Sequence, residues 1–181
     1  GACLHWIFTA GGYTPNDPPY AAGAPPEQRR AFDEAHAADA WPASAPGAQP
    51  VIANIDTGID GANIDFQGRL VAGADFIDPA GNGGADANGH GTFIAGIEAA
   101  AGDNSAGIAG VCWSCRVMPV RACDDAGLCP FFAVMNAVAF AADGGAEVIN
   151  ISLESPAQPG SSEWKIFQSV IDYAASRGAF I

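Results

Sequence analysis

The chain has 181 residues, 49% of them hydrophobic, which is enough apolar material for one domain with a sizeable core and too much for a disordered segment. Seven basic against 20 acidic residues give a net charge of −13, so nucleic acid and anionic membrane surfaces, which need a positive field, are not expected as partners. No apolar run approaches the roughly 20 residues of a bilayer span.

The first residue is Gly1 and no basic-plus-apolar leader opens the sequence, so the N-terminus is read as a processing point or the edge of an incomplete reading frame. Residues 1–50 are expected to be irregular, with Pro/Gly-rich stretches at 11–26 and 42–50 and a short helix between Glu27 and Trp41. From residue 51 the pattern alternates. Val51–Ile55 reads as a buried strand and Leu70–Phe76 as another. A Gly/Asp/Asn loop covers 78–89, and a small-residue helix follows His90 with Ile94, Ile97 and Ala101 on one face. Cys115–Arg121 is a strand. Phe131–Ala142 has Phe131, Val134, Val138 and Ala141 at helical spacing, with Pro130 suited to its start. Val148–Ile151 is a strand, and Ser162–Arg177 a helix with Trp164, Phe167, Val170, Ile171 and Ala174 inward and Gly178 as its stop. Ala179–Ile181 opens a further apolar run, so Ile181 is read as a truncation point. Strand–helix alternation of this kind predicts an α/β domain with a mainly parallel sheet, whose ligand sites lie at the carboxyl ends of the strands. Asp56 and Ser152 both follow such strand ends.

Four of the five cysteines fall between 112 and 129. Cys112-Trp-Ser-Cys115 has a CxxC form used in redox and zinc sites. A four-thiolate zinc site would need closer spacing in the second pair, and a redox site would want a strand-to-helix setting. Local disulfides 112–115 and 123–129 in an oxidising compartment are the preferred reading, with Cys3 left over.

Three segments carry chemistry: Ile55-Asp56-Thr57-Gly58-Ile59, His90-Gly-Thr-Phe-Ile-Ala-Gly96, and Val148-Ile-Asn-Ile-Ser-Leu153. Singly they are weak. Asp56 alone is as well explained as a turn former, and Asp-Thr-Gly also occurs in pepsin-like proteases, where an all-β setting and a small following residue would be wanted. A strand-end Asp also suits a receiver-type phosphoacceptor, but that leaves His90 without a use. In this order the segments resemble the subtilase family of serine proteases. Asn16-Asp-Pro18, Ala38-Asp-Ala-Trp41, Gly107-Ile-Ala-Gly-Val111 and Arg116-Val-Met-Pro-Val-Arg121 add to the resemblance, which covers roughly residues 16–181.

The resemblance implies a three-layer subtilisin-like α/β fold, incomplete at its C-terminus. Residues 1–50 would be an extension and lead-in segment, and 51–181 the front portion of the catalytic domain. It implies a secreted serine endopeptidase acting on polypeptides, monomeric when full length, with Asp56 and His90 as two members of an Asp–His–Ser triad. The family's serine and its oxyanion asparagine lie in segments that this sequence does not contain, so the chain alone is expected to be inactive. Ser152, Leu153 and Glu154 match the stretch that pairs with extended substrate, although Glu154 stands where the family usually has glycine. Phe93 stands where a histidine is common. Structural calcium is implied at Asp65 with the Asp103–Asn104 loop. Asp75, Asp78, Asn82 and Asp86 form a second oxygen-rich stretch that reads equally well as solvated turn residues. The competing reading is a catalytically inactive subtilase-like module that binds peptides or proteins. A two-chain protease nicked after Ile181 is disfavoured, because nicking occurs at loop tips rather than within strands.

Overall fold

The computed structural model describes residues 14–25, 27, 29–41, 49–155 and 157–181. Cys3 lies outside them. Four strands, β1 (Val51–Asp56), β2 (Ala74–Asp75), β3 (Arg116–Arg121) and β4 (Val148–Asn150), form one parallel sheet in the order β2-β3-β1-β4. Five α-helices are described: α1 (Arg30–Glu34), α2 (Ala37–Ala40), α3 (His90–Ala99), α4 (Phe131–Asp143) and α5 (Ser162–Ser176).

The period of two along β1 separates its side chains into two layers. Ala53 and Ile55 face a core built with Val134, Val138 and Ala141 of α4 and Ala174 of α5. Ile52 faces the other core, with Ala95 and Ala99 of α3, Ile59 and Phe66. Asp56 follows Ile52 and Asn54 on the α3 side. Helices on both faces of a parallel sheet give the three-layer α/β architecture expected from the alternating pattern. The small third core under Trp41 joins the lead-in segment to the body: Trp41 stacks on Trp113 with centroids 4.8 Å apart and donates Nε1 to the Gly110 carbonyl at 3.1 Å.

Several elements differ in detail from the sequence pattern. The expected strand 70–76 is split: Leu70 bridges Val117, and pairing resumes only at Ala74–Asp75 against Val120–Arg121. Val117 N–H bonds to Arg69 on this edge and the Arg121 carbonyl accepts from Phe76, so Pro119, which has no N–H, stands at the gap between them. The helix expected in 27–41 breaks into α1 and α2 at His36, whose φ is 55°. The buried face of α3 is not Ile94, Ile97 and Ala101 but Gly91, Ala95, Gly96 and Ala99; Ile97 is exposed. Small residues let the α3 backbone approach β1 closely, and that outweighs the burial of a larger side chain. On α5 only Ala174 is buried, Phe167 and Val170 pack partly, and Trp164 is exposed. Phe180 bridges Val148, so the last residues do begin to pair beside β4.

Candidate active site

Asp56 ends β1 fully buried, and His90 opens α3 on the same side of the sheet. His90 Nδ1 lies 2.8 Å from Asp56 Oδ1 and 2.9 Å from Oδ2. The contact makes Nδ1 the donor and leaves Nε2 as the acceptor nitrogen of the neutral ring. The His90 side chain keeps 45% of its surface accessible while Asp56 keeps none, so the imidazole is gripped from below and open above.

This pairing depends on how α3 is held against β1. Asn54 Nδ2 donates to the Gly91 carbonyl at 3.0 Å, and Gly91 N–H donates to Thr57 Oγ1 at 2.9 Å. A Cβ at Gly91 would fall 2.1 Å from the Gly58 carbonyl oxygen and 3.1 Å from Asp56 Cβ, so only glycine permits the approach. Asp86 anchors the first turn. It accepts from Thr57 Oγ1 at 2.8 Å, Gly89 N–H at 2.8 Å, Thr92 N–H at 2.9 Å and Thr92 Oγ1 at 2.6 Å. Burial pushes the Asp86 carboxyl up, but the hydrogen bonds from Thr92, Gly89 and Thr57 together outweigh it and hold the group below the usual carboxylate range. An anion here also satisfies the free N–H groups of the helix N-terminus.

The pair forms part of a cleft of about 420 Å³. One wall is the turn Gly127–Leu128 with Cys123 and Cys129, and the other is Ser152, Leu153 and Glu154. The stretch singled out as substrate-pairing therefore lines the same cleft as the Asp56–His90 pair. Cys123 is bonded to Cys129, and Asp124 Oδ1 accepts from Ala126 N–H and Leu128 N–H, both at 2.9 Å, so this wall is closed into a compact ring. Cys112 is bonded to Cys115, and Arg69 Nη2 ties the same turn through the carbonyls of Cys112 at 3.2 Å and Cys115 at 2.7 Å. A cleft of similar size, about 430 Å³, runs along Phe93 and Gly96 of α3 and does not include the pair.

The oxygen-rich residues separate into two groups. Asp65 is buried, accepting from Asn104 Nδ2 at 3.0 Å and Ile108 N–H at 2.9 Å. Asp103 accepts from Asn16 N–H at 3.1 Å through Oδ1 and gives its own N–H to Asp17 Oδ2 at 2.7 Å. Asp17 was singled out only as part of a motif, yet it is fully buried, and its Oδ1 has no hydrogen-bond partner among the described residues. The stretch 75–86 is not one cluster. Asp75 binds Arg121 Nη1 at 3.0 Å, Asn82 closes its own turn with Gly84 N–H, and Asp86 serves α3. Asp75 is pushed up by burial, but the N–H groups of Asp78 and Ile77 and the Arg121 guanidinium carry it net downward. The roles of Asp86, Asn54 and Thr57 in seating α3 were missed in the sequence. Thr57 adjoins Asp56 and Asp86 precedes His90 by one helical turn, but no spacing rule links them.

A parallel sheet with helices on both faces, and a buried Asp at the end of a central strand gripping a His at a helix start, define a subtilisin-like half-site. The family model of the subtilases, peptidase family S8, matches residues 47–181, and the chain belongs to that family. It is 37% identical to thermitase of Thermoactinomyces vulgaris, over 93% of this chain and 56% of the relative. It is 34% identical to a thermophilic serine proteinase of Bacillus sp. (strain AK1), over 98% of this chain and 41% of the relative. Among solved structures, MycP1 with its N-terminal propeptide removed superposes with a TM-score of 0.67 at 30% identity, covering 83% of this chain and 47% of that one. The chain spans about half the length of the curated relatives it matches.

Proposed function

We propose that the protein is a serine endopeptidase in which Asp56 and His90 are two members of the catalytic triad and the serine comes from sequence outside these 181 residues. The observation that carries the reading is the 2.8 Å contact between His90 Nδ1 and the buried Asp56 carboxylate, both of which line a cleft of about 420 Å³ together with Ser152–Glu154. His90 Nε2 takes the proton of the serine hydroxyl as its oxygen attacks the peptide carbonyl carbon. The same proton passes to the departing amine as the C–N bond breaks, leaving an acyl-enzyme that water then hydrolyses. Asp56 holds the ring in the required tautomer and stabilises its charged form in between. Ser152, Leu153 and Glu154 offer a stretch of backbone against which a substrate strand lies. By itself the chain lacks the nucleophile and is expected not to turn over.

Two disulfides fit a secreted protein made in an oxidising compartment. No helix among the described residues is long and apolar enough to cross a membrane. Structural calcium is proposed at the 103–108 turn, which both Asp17 and Asp65 contact. A Cβ at Gly107, whose φ is +47°, would fall 1.8 Å from Asp65 Oδ2, so the backbone cradles that carboxylate, while Asp17 Oδ1 is left without a donor. No group of three or more His, Cys, Asp or Glu suited to a metal occurs among the described residues, so the remaining ligands would be Asn104 and carbonyl oxygens, which suits a hard cation. Bound there, calcium would tie the lead-in segment to the body.

The test is to express the full-length gene product and treat it with a fluorophosphonate, which labels activated serines covalently. Labelling that His90→Ala abolishes supports the protease. An unlabelled, folded protein leaves the peptide-binding module as the function.

A further inference from the structure

We propose that Glu154 selects basic side chains, so that the cleft takes extended peptides carrying Lys or Arg at one defined position. The proposal deepens the reading of this cleft as a polypeptide site and rests on it. Among the residues that line the cleft, the ionisable side chains are Asp56, His90 and Glu154, and none is Lys or Arg. Asp56 is spent on His90 and on Thr57 N–H, which it accepts at 2.7 Å. The acids on the opposite wall are spent too: Asp124 accepts Ala126 and Leu128 N–H, and Asp125 pairs with Arg121 Nη2 at 2.7 Å. Glu154 is exposed on the rim, with no hydrogen bond or ion pair among the described residues.

The cleft therefore keeps one carboxylate with free acceptor capacity, in a chain whose net charge is already −13. A peptide running between Gly127–Leu128 and Ser152–Glu154 pairs through its main chain and alternates its side chains, so one of them reaches the Glu154 wall. An ammonium or guanidinium there finds a partner, and a carboxylate meets like charge. Covering by the peptide also removes water from around the pair, which strengthens it relative to an open surface pair.

The experiment uses the full-length protein with His90→Ala to prevent turnover, and fluorescence anisotropy of labelled extended peptides that differ only in bearing Lys, Gln or Glu at each position in turn. Lys is expected to bind tighter than Gln at one position, by roughly three- to ten-fold at low salt, with the gain shrinking as ionic strength rises. Glu154→Gln should erase that gain, and Glu154→Arg should reverse it in favour of the Glu peptide. Equal binding of the three peptides at every position, or a Lys preference that survives Glu154→Gln, overturns the proposal. The readout does not depend on a serine. An unlabelled protein that still shows the reversal refutes the protease reading alone, and a labelled protein indifferent to charge refutes this inference alone.

Discussion

Asn54, two residues before the end of β1, donates its side-chain amide to the carbonyl of Gly91, the second residue of α3, at 3.0 Å. A central strand thus holds the first turn of the helix that carries His90. Asn54→Ala should remove this bond, leaving the carbonyl its helical N–H partner but untying the first turn from β1, and lower stability by about 0.5–1.5 kcal/mol. Thermal unfolding measures the loss, and Asn54→Asp should not restore stability because it offers no amide donor.

Asp56→Asn keeps the shape of the site but presents an amide to His90 Nδ1. With the ring free to take the other tautomer, kcat of the full-length enzyme should fall on the order of 10⁴-fold while KM changes little. Steady-state kinetics on a peptide substrate separates the two, and a KM effect of the same size would place Asp56 in binding instead.

Glu98 on α3 has both carboxylate oxygens shielded from solvent with no hydrogen-bond partner among the described residues. Burial, with a smaller contribution from the charge of Asp56, pushes it up from 4.5 to about 8. Between those values the folded state holds a proton that the unfolded state releases, so Glu98 makes stability fall as pH rises through this window and level off above about 8. Glu98→Gln should flatten the decline and raise the melting temperature at pH 8 more than at pH 4. Melting curves across that range give the comparison, and parallel profiles for the two proteins would sink the assignment.

Asp17 and Asp65 both bind the 103–108 turn, and Asp17 Oδ1 is left over. A chelator should lower the melting temperature of the protein, and added calcium should restore it in a concentration-dependent way. Asp17→Asn should abolish the calcium response, whereas Asp78→Asn on an exposed turn should not.

The Cys123–Cys129 bond closes a short loop on the cleft wall. Replacing both cysteines by serine should cost about 2 kcal/mol by loop-closure entropy. Extended peptides should lose more affinity than short ones, because they reach the loosened Gly127–Leu128 wall as well as the Ser152–Glu154 backbone. Melting curves and peptide binding by anisotropy check the two parts separately.

How much the sequence disclosed follows from which interactions are periodic. Val134, Val138 and Ala141 repeat at helical spacing and are buried as that spacing requires, and the apolar run before Asp56 lies in the sheet. The motif order put Asp56 and His90 together, and the structure brings them into contact. What stayed hidden depends on contacts between distant short polar side chains. Asp86 reads as one more turn residue in an acidic loop until its four donors converge on it. The buried face of α3 was misjudged because Ile94 and Ile97 outrank Gly91 and Ala95 in hydrophobicity, whereas close backbone approach favours the residues with least bulk. Pro119 was visible throughout, but its effect on the Leu70–Asp75 edge required knowing that its missing N–H points that way.

Asp86 touches Thr57, just past the strand that ends in Asp56, and also Gly89 and Thr92, on either side of His90. One side chain thereby fastens both halves of the pair to a single post. A shift of α3 relative to β1 would therefore have to break the bonds of Asp86 on one side or the other, which ties the position of His90 to that of Asp56. The first turn of a helix normally frays because its N–H groups lack partners; here Asp86 supplies acceptors to Gly89 and Thr92 on either side of His90, so that source of fraying is removed where the imidazole is seated.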